Sequence, residues 1–205
     1  MKTVFFRCFN FTLWVLSCAL SASLVSAEGA ADAPSPTLDL VVVETRSAHL
    51  PYVAFCARNP ALCDMTGASM VALSPVEFEG LERVNASANG EIDCSISDQE
   101  LYGLEEYWAI PSDGAGDCED IALYKREALV KAGLPRGAMT LAIVHHRKDL
   151  FSHAVLLIET GQGTFLLDSY SDEVKLWHEA PYNFESRERP DGRWDRYDQQ
   201  AWRWD

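Results

Sequence analysis

Basic runs are missing from this 205-residue chain. Lys and Arg number 17 and never stand more than two together, against 31 Asp and Glu and a formal net charge of −14. A nucleic-acid binder needs a basic footprint to displace phosphate counterions, so that class is excluded. An anionic membrane surface would repel the chain for the same reason. No continuous apolar stretch reaches the roughly 20 residues that a membrane-spanning helix needs. Internal repeats are lacking, and so is the Cys/His spacing of a zinc site. His145 and His146 are neighbours in a predicted strand and face opposite sides, so they cannot chelate one metal together. What is present, 48% apolar and 23% charged residues, is the composition of a globular protein with room for one ordinary domain.

The amino terminus stands apart. Met1–Arg7 carries Lys2 and Arg7 and no acid, Phe9–Leu20 is a short apolar block, and Ser21–Ala27 is built mostly of small residues. Val25-Ser26-Ala27 fits a small-x-Ala cleavage site, which predicts a signal peptide over 1–27 and export. Two alternatives stay open: Val15-Leu16-Ser17-Cys18 loosely resembles a lipoprotein box with Cys18 acylated, and the block could be kept as a single anchor. Residues 28–45 read as a leader or linker, Ala/Pro/Ser-rich through Pro36, with a short strand over Leu38–Val43. The domain itself is expected over 46–205.

Cleavage leaves Cys56, Cys63, Cys94 and Cys118. Cys56 and Cys63 are close enough to close a small loop in an oxidising compartment, worth about 2–3 kcal/mol on the chain-entropy model. Cys94 and Cys118 could pair with each other, or Cys118 could be a free thiol.

Helix is expected over Leu50–Arg58, stopped by Asn59-Pro60, and over Leu73–Ala88 before a loop. Ser97–Trp108 reads as irregular or weakly helical. The clearest element lies within Ser112–Leu134, where Asp117 is placed to cap a helix with Asp120 three residues on. There Ile121, Ala122, Tyr124, Ala128 and Leu129 recur at helical spacing, with Lys125, Arg126 and Lys131 on the charged side. Short strands follow over Thr140–His146, His153–Thr160, Thr164–Ser169 and Val174–His178. This order predicts an α+β fold, a helix packed on an antiparallel sheet. The tail Pro181–Asp205 has no clear period and is expected to pack over the sheet. Asn85-Ala86-Ser87 is a chance glycosylation match unless the host glycosylates.

Chemistry converges on Cys118. In the first turn of the helix, backbone N–H groups and the positive dipole end favour a thiolate and can hold an oxyanion. Asp117, Glu119 and Asp120 oppose that, unless a bound cation neutralises them. A hairpin centred on Gly161-Gln162 makes paired positions sum to about 323, setting Asp168 opposite Val155. Asp168 and His153 are then diagonal neighbours on one face, within reach for a carboxylate to orient an imidazole. Cys118, His153 and Asp168 thus read as nucleophile, base and orienter.

Tyr107-Trp108-Ala109-Ile110-Pro111, then Gly116-Asp117-Cys118-Glu119-Asp120 heading a helix with Lys125, then Ser152-His153-Ala154-Val155-Leu156 and Leu166-Leu167-Asp168 resemble the bacterial transglutaminase-like cysteine proteinases. The likeness runs from about Leu50 to Trp194 and includes the Phe55-Cys56…Pro60…Cys63 segment. It implies a papain-like, transglutaminase-like core over 46–205 and a periplasmic thiol endopeptidase with the triad Cys118, His153 and Asp168. It also implies calcium dependence, with Asp117, Glu119 and Asp120 among the ligands and Ca2+ as cofactor. The implied partners are a protein substrate of the large surface-adhesin class and an inner-membrane cyclic di-GMP receptor. Trp108 matches a family aromatic and is a candidate wall of the site. The chain departs from the family pattern at Ser169, where Asn is frequent, and at Ile121, where an aromatic is common. Two other functions use the same residues: a transglutaminase or amidase with an amine acceptor, and a non-catalytic calcium-dependent binding module in which Cys118 pairs with Cys94.

Overall fold

The computed structural model of the protein describes residues 36–205; the expected signal peptide and the first part of the leader lie outside the described residues. Among the described residues four α-helices precede most of the sheet: α1 (Leu50–Arg58), α2 (Pro75–Glu91), α3 (Asp98–Tyr102) and α4 (Cys118–Lys131). Seven strands, β1 (Val42–Ser47), β2 (Met139–His146), β3 (Ser152–Thr160), β4 (Gly163–Asp168), β5 (Ser171–Leu176), β6 (Tyr182–Glu188) and β7 (Arg193–Tyr197), form one sheet. Its order is β1-β7-β6-β2-β3-β4-β5, with antiparallel pairing throughout. The α+β fold read from the sequence is the fold observed.

Each helix has a local cause. In α2, Ser74 and Glu77 form a reciprocal capping box and Pro75 occupies the first turn, where its missing N–H costs nothing. In α1, Pro51 does the same, and the Cys56–Cys63 disulfide ties the helix end to the following 3-10 turn. Gly116, just before α4, has no room for a side chain: a Cβ would lie 2.9 Å from both Asp120 Cβ and Pro111 Cγ.

Side chains alternate across the sheet and divide the core in two. Leu141, Leu156, Ile158 and Leu167 face the helices and pack with Leu81, Leu123, Leu129, Phe55 and Trp194. Ala142, Val144, Val155, Leu157 and Leu166 face the other way, against Leu38, Tyr182, Phe184 and Tyr197.

Four expectations are corrected. Val42–Ser47, partly assigned to the linker, is an edge strand paired with β7, and Leu38 is buried. The tail is not a cover over the sheet: Tyr182–Glu188 and Arg193–Tyr197 are strands within it, and β6 binds the central strand β2. Lys125 and Arg126 do not face water. Arg126 is fully buried and pairs with Glu188 at 2.6 Å, and Lys125 donates to Asn85 Oδ1 at 2.7 Å. Buried charges like these are tolerated only when such partners exist. Trp108 is a core residue, 3% exposed and packed edge-on against Tyr52 and Trp194, so it does not wall the site. Asn85, of the glycosylation match, is completely buried in α2.

Candidate active site

The β3–β4 ladder pairs Leu156 with Leu167, Leu157 with Leu166 and Thr160 with Gly163, so every pair of the ladder sums to 323 as the hairpin reading required. Beyond its last rung, His153 Nε2 and Asp168 Oδ1 are 2.8 Å apart. Both residues are buried, at 2% and 4% exposure. Asp168 is filled from several directions: the Tyr170 amide donates to Oδ1 at 2.9 Å and the Tyr182 hydroxyl to Oδ2 at 2.6 Å. Burial works against its ionisation, but the His153 contact and these donors hold its carboxyl below the ordinary value.

Cys118 is the first residue of α4, with Asp117 at the N-cap. Because the ladder has ended, the amide of Ala154, next to His153, is available to the helix and donates to Cys118 Sγ at 3.4 Å. The thiol in turn donates to Glu119 Oε2 at 3.2 Å. Burial raises the thiol well above its ordinary value, and the Glu119 and Asp117 charges raise it further. Cys118 and Cys94 are both free, and Cys94 is exposed, so the pairing that the binding-module reading needed is not formed. Cysteine chemistry therefore has a free thiol at a helix start, against the strand that carries an oriented imidazole.

The acids beside the thiol are arranged differently from the sequence reading. Asp117 occupies the N-cap but makes no capping hydrogen bond. Its carboxylate, that of Glu119 and that of Asp98 in α3 offer oxygens all within 4.8 Å of one another. Asp120 is not in this group; its Oδ1 accepts the Ala109 amide at 2.6 Å. Successive helix residues are about 100° apart, so Glu119 and Asp120 leave α4 in different directions. Asp98 is the residue that sequence reasoning missed. Its one forward signal was Ser97 with Glu100, a start signature for the short α3, and Asp98 is also bound by the Tyr107 amide.

Whether this group fits a cation can be tested on its own polar atoms. Asp98 Oδ1 and Asp117 Oδ1 are buried and have no hydrogen-bond partner. Burial, joined by repulsion from neighbouring acids, pushes Asp117 up to about 6 and Glu119 up to about 9. Three clustered carboxylates, two of them with a buried unpartnered oxygen, are the hard oxygen donors that calcium prefers, so the residues fit such an ion; Asp120 Oδ2 is likewise buried and unpartnered.

A cavity of about 400 Å³ adjoins the His153–Asp168 pair, walled by Phe151, Leu166, Tyr170, Ala180 and Pro181. Tyr170 is 65% exposed, and its ring centroid lies 4.8 Å from that of His153. Of the other histidines, His145 contacts Glu185 at 2.7 Å, and His146, which also lines this cavity, accepts the Asp149 amide and stacks on Phe151.

No curated protein matches the chain. Three solved structures of Legionella pneumophila LapG are similar to it at 23% identity. The calcium-bound one covers 74% of this chain and 82% of its own, with a TM-score of 0.48. The EGTA-treated one covers 77% and 83%, with a TM-score of 0.49, and a third covers 75% and 83% at 0.48. The family profile described as bacterial transglutaminase-like cysteine proteinase matches residues 42–201. That match spans the whole sheet, α4 and the β3–β4 hairpin, so the chain belongs to the bacterial transglutaminase-like cysteine proteinases and is a cysteine peptidase.

Proposed function

We propose that the protein is an exported, periplasmic endopeptidase whose triad is Cys118, His153 and Asp168. The observation that carries this is the 2.8 Å contact of His153 Nε2 with Asp168, beside a free helix-start thiol that accepts the amide of Ala154. With Nε2 committed to Asp168, Nδ1 is the nitrogen that takes the thiol proton. The thiolate attacks the peptide carbonyl carbon, and backbone N–H groups at the start of α4 hold the oxyanion. Imidazolium returns the proton to the leaving amine as the C–N bond breaks, leaving a thioester. His153 then deprotonates a water molecule, which hydrolyses the thioester and frees the thiol.

Asp98, Asp117 and Glu119 are the ligands we assign to calcium, and Asp120 supports the loop before the helix instead. A calcium ion held by these three carboxylates would supply positive charge to offset them around the thiolate, and Glu119 would then be drawn from the thiol to the ion. The family resemblance makes a large surface adhesin the substrate class and a cyclic di-GMP receptor of the inner membrane the regulator.

The test is digestion of a peptide library with the calcium-loaded protein, read by mass spectrometry of new termini. Cleavage products are expected with the native chain and none with Cys118→Ala. Amine adducts on glutamine in place of new termini would assign a transglutaminase instead.

A further inference from the structure

Asp168 is held by a side chain that comes from outside the hairpin. Tyr182 begins β6, which is separated from β4 by two strands, β2 and β3, in the sheet order, and lies opposite His146 of β2. Its ring reaches across the strand ends, 5.5 Å from the His146 ring and 5.7 Å from the His153 ring by centroid. The hydroxyl then donates to Asp168 Oδ2 at 2.6 Å, while Oδ1 serves His153. Tyr182 is 5% exposed and Asp168 4%, so the bond is buried although both residues border the cavity.

A carboxylate attached through two rotatable bonds can turn its oxygens away from an imidazole, and a donor fixed on the second oxygen stops that rotation. Phenylalanine would fill the same volume and pack on the same two histidines, so packing alone does not require the hydroxyl. From this geometry we propose that Tyr182 is a positioning residue of the triad: its hydroxyl locks the Asp168 carboxylate in the rotamer that orients His153. The proposal rests on the triad reading above.

The test is a double-mutant cycle on the rate of Cys118 alkylation by iodoacetamide in the calcium-loaded full chain, with kcat and KM measured on a cleaved peptide. Alkylation needs no peptide-binding site, so it reports activation of the thiol. Tyr182→Phe is expected to slow alkylation and lower kcat about tenfold, the range for a hydrogen bond to a charged group, with KM within twofold. In an Asp168→Ala background the same substitution is expected to change the alkylation rate less than twofold, because the group it acts through is gone. Equal effects in both backgrounds, a rise in KM with kcat unchanged, or a Phe variant that no longer folds would assign Tyr182 to packing and overturn the proposal. If Asp168→Ala itself leaves alkylation unchanged, the triad reading fails first, and the two failures are told apart.

Discussion

At the scale of single residues, position along a helix decides which acid does what. Asp117, Glu119 and Asp120 are nearly consecutive, yet Asp120 turns to the Ala109 amide while the other two meet Asp98. Asp98→Asn is therefore expected to weaken calcium binding about tenfold, since one ligand charge is lost. Asp120→Asn is expected to leave affinity within twofold and to lower the melting temperature. Calcium titration calorimetry with thermal melts of both variants checks this, and the reverse pattern would return Asp120 to the ligand set. The His153–Asp168 contact was legible because alternation and a short turn fix register: once Gly161-Gln162 is taken as the turn, the two residues must share a face. Asp98 was not legible. It lies 19 residues before Asp117, in a segment with no strong period, and only the folded chain brings its carboxylate within 4.8 Å of those of Asp117 and Glu119.

Among the elements, the parts misread are those where polar residues are buried. The β6 strand carries Asn183, Ser186 and Glu188 inside, so its apolar alternation is masked, and charged residues in α4 look like a solvent face until their partners are known. Glu188 is one such partner: it pairs with Arg126, receives the Leu141 amide at 3.0 Å and takes the Tyr52 hydroxyl. This cluster joins α1, α4, β2 and β6 beneath the site. Removing only the cation leaves a buried carboxylate uncompensated, so Arg126→Met is expected to cost about 3–5 kcal/mol in urea unfolding. Replacing both members, Arg126→Met with Glu188→Leu, is expected to recover part of that loss. An unchanged unfolding midpoint for Arg126→Met would show that the pair does not hold the helix to the sheet. The strands of the hairpin were readable as short apolar runs bounded by turn residues, because Ala154–Ile158 is buried on both faces of the sheet and Gly161-Gln162 marks the turn.

Taken as a whole, the molecule carries a large acidic excess and concentrates part of it in a desolvated cluster beside Cys118. In chelator, Asp117, Asp120 and Glu119 have folded values raised to about 6, about 8 and about 9, chiefly by burial. Raised values mean that the folded state binds more protons than the unfolded chain between about pH 4 and 9. That contribution to stability is complete below the unfolded values and is lost as pH rises through the folded ones. The melting temperature in chelator should therefore fall from pH 5 to pH 8, and calcium should restore it most at pH 8, because the ion binds the ionised folded form. A chelated protein equally stable at both pH values would contradict this reading of the cluster.

The central claim is that Cys118 is a nucleophile activated by His153, and the most direct measurement is iodoacetamide labelling with peptide mapping, with calcium and with chelator. Cys94, exposed and free, supplies the internal reference. The account predicts that Cys118 is labelled faster with calcium than with chelator, that His153→Ala removes most of this advantage, and that the Cys94 rate does not change. Labelling of Cys118 that is indifferent to His153, or confined to Cys94 in both conditions, would contradict it.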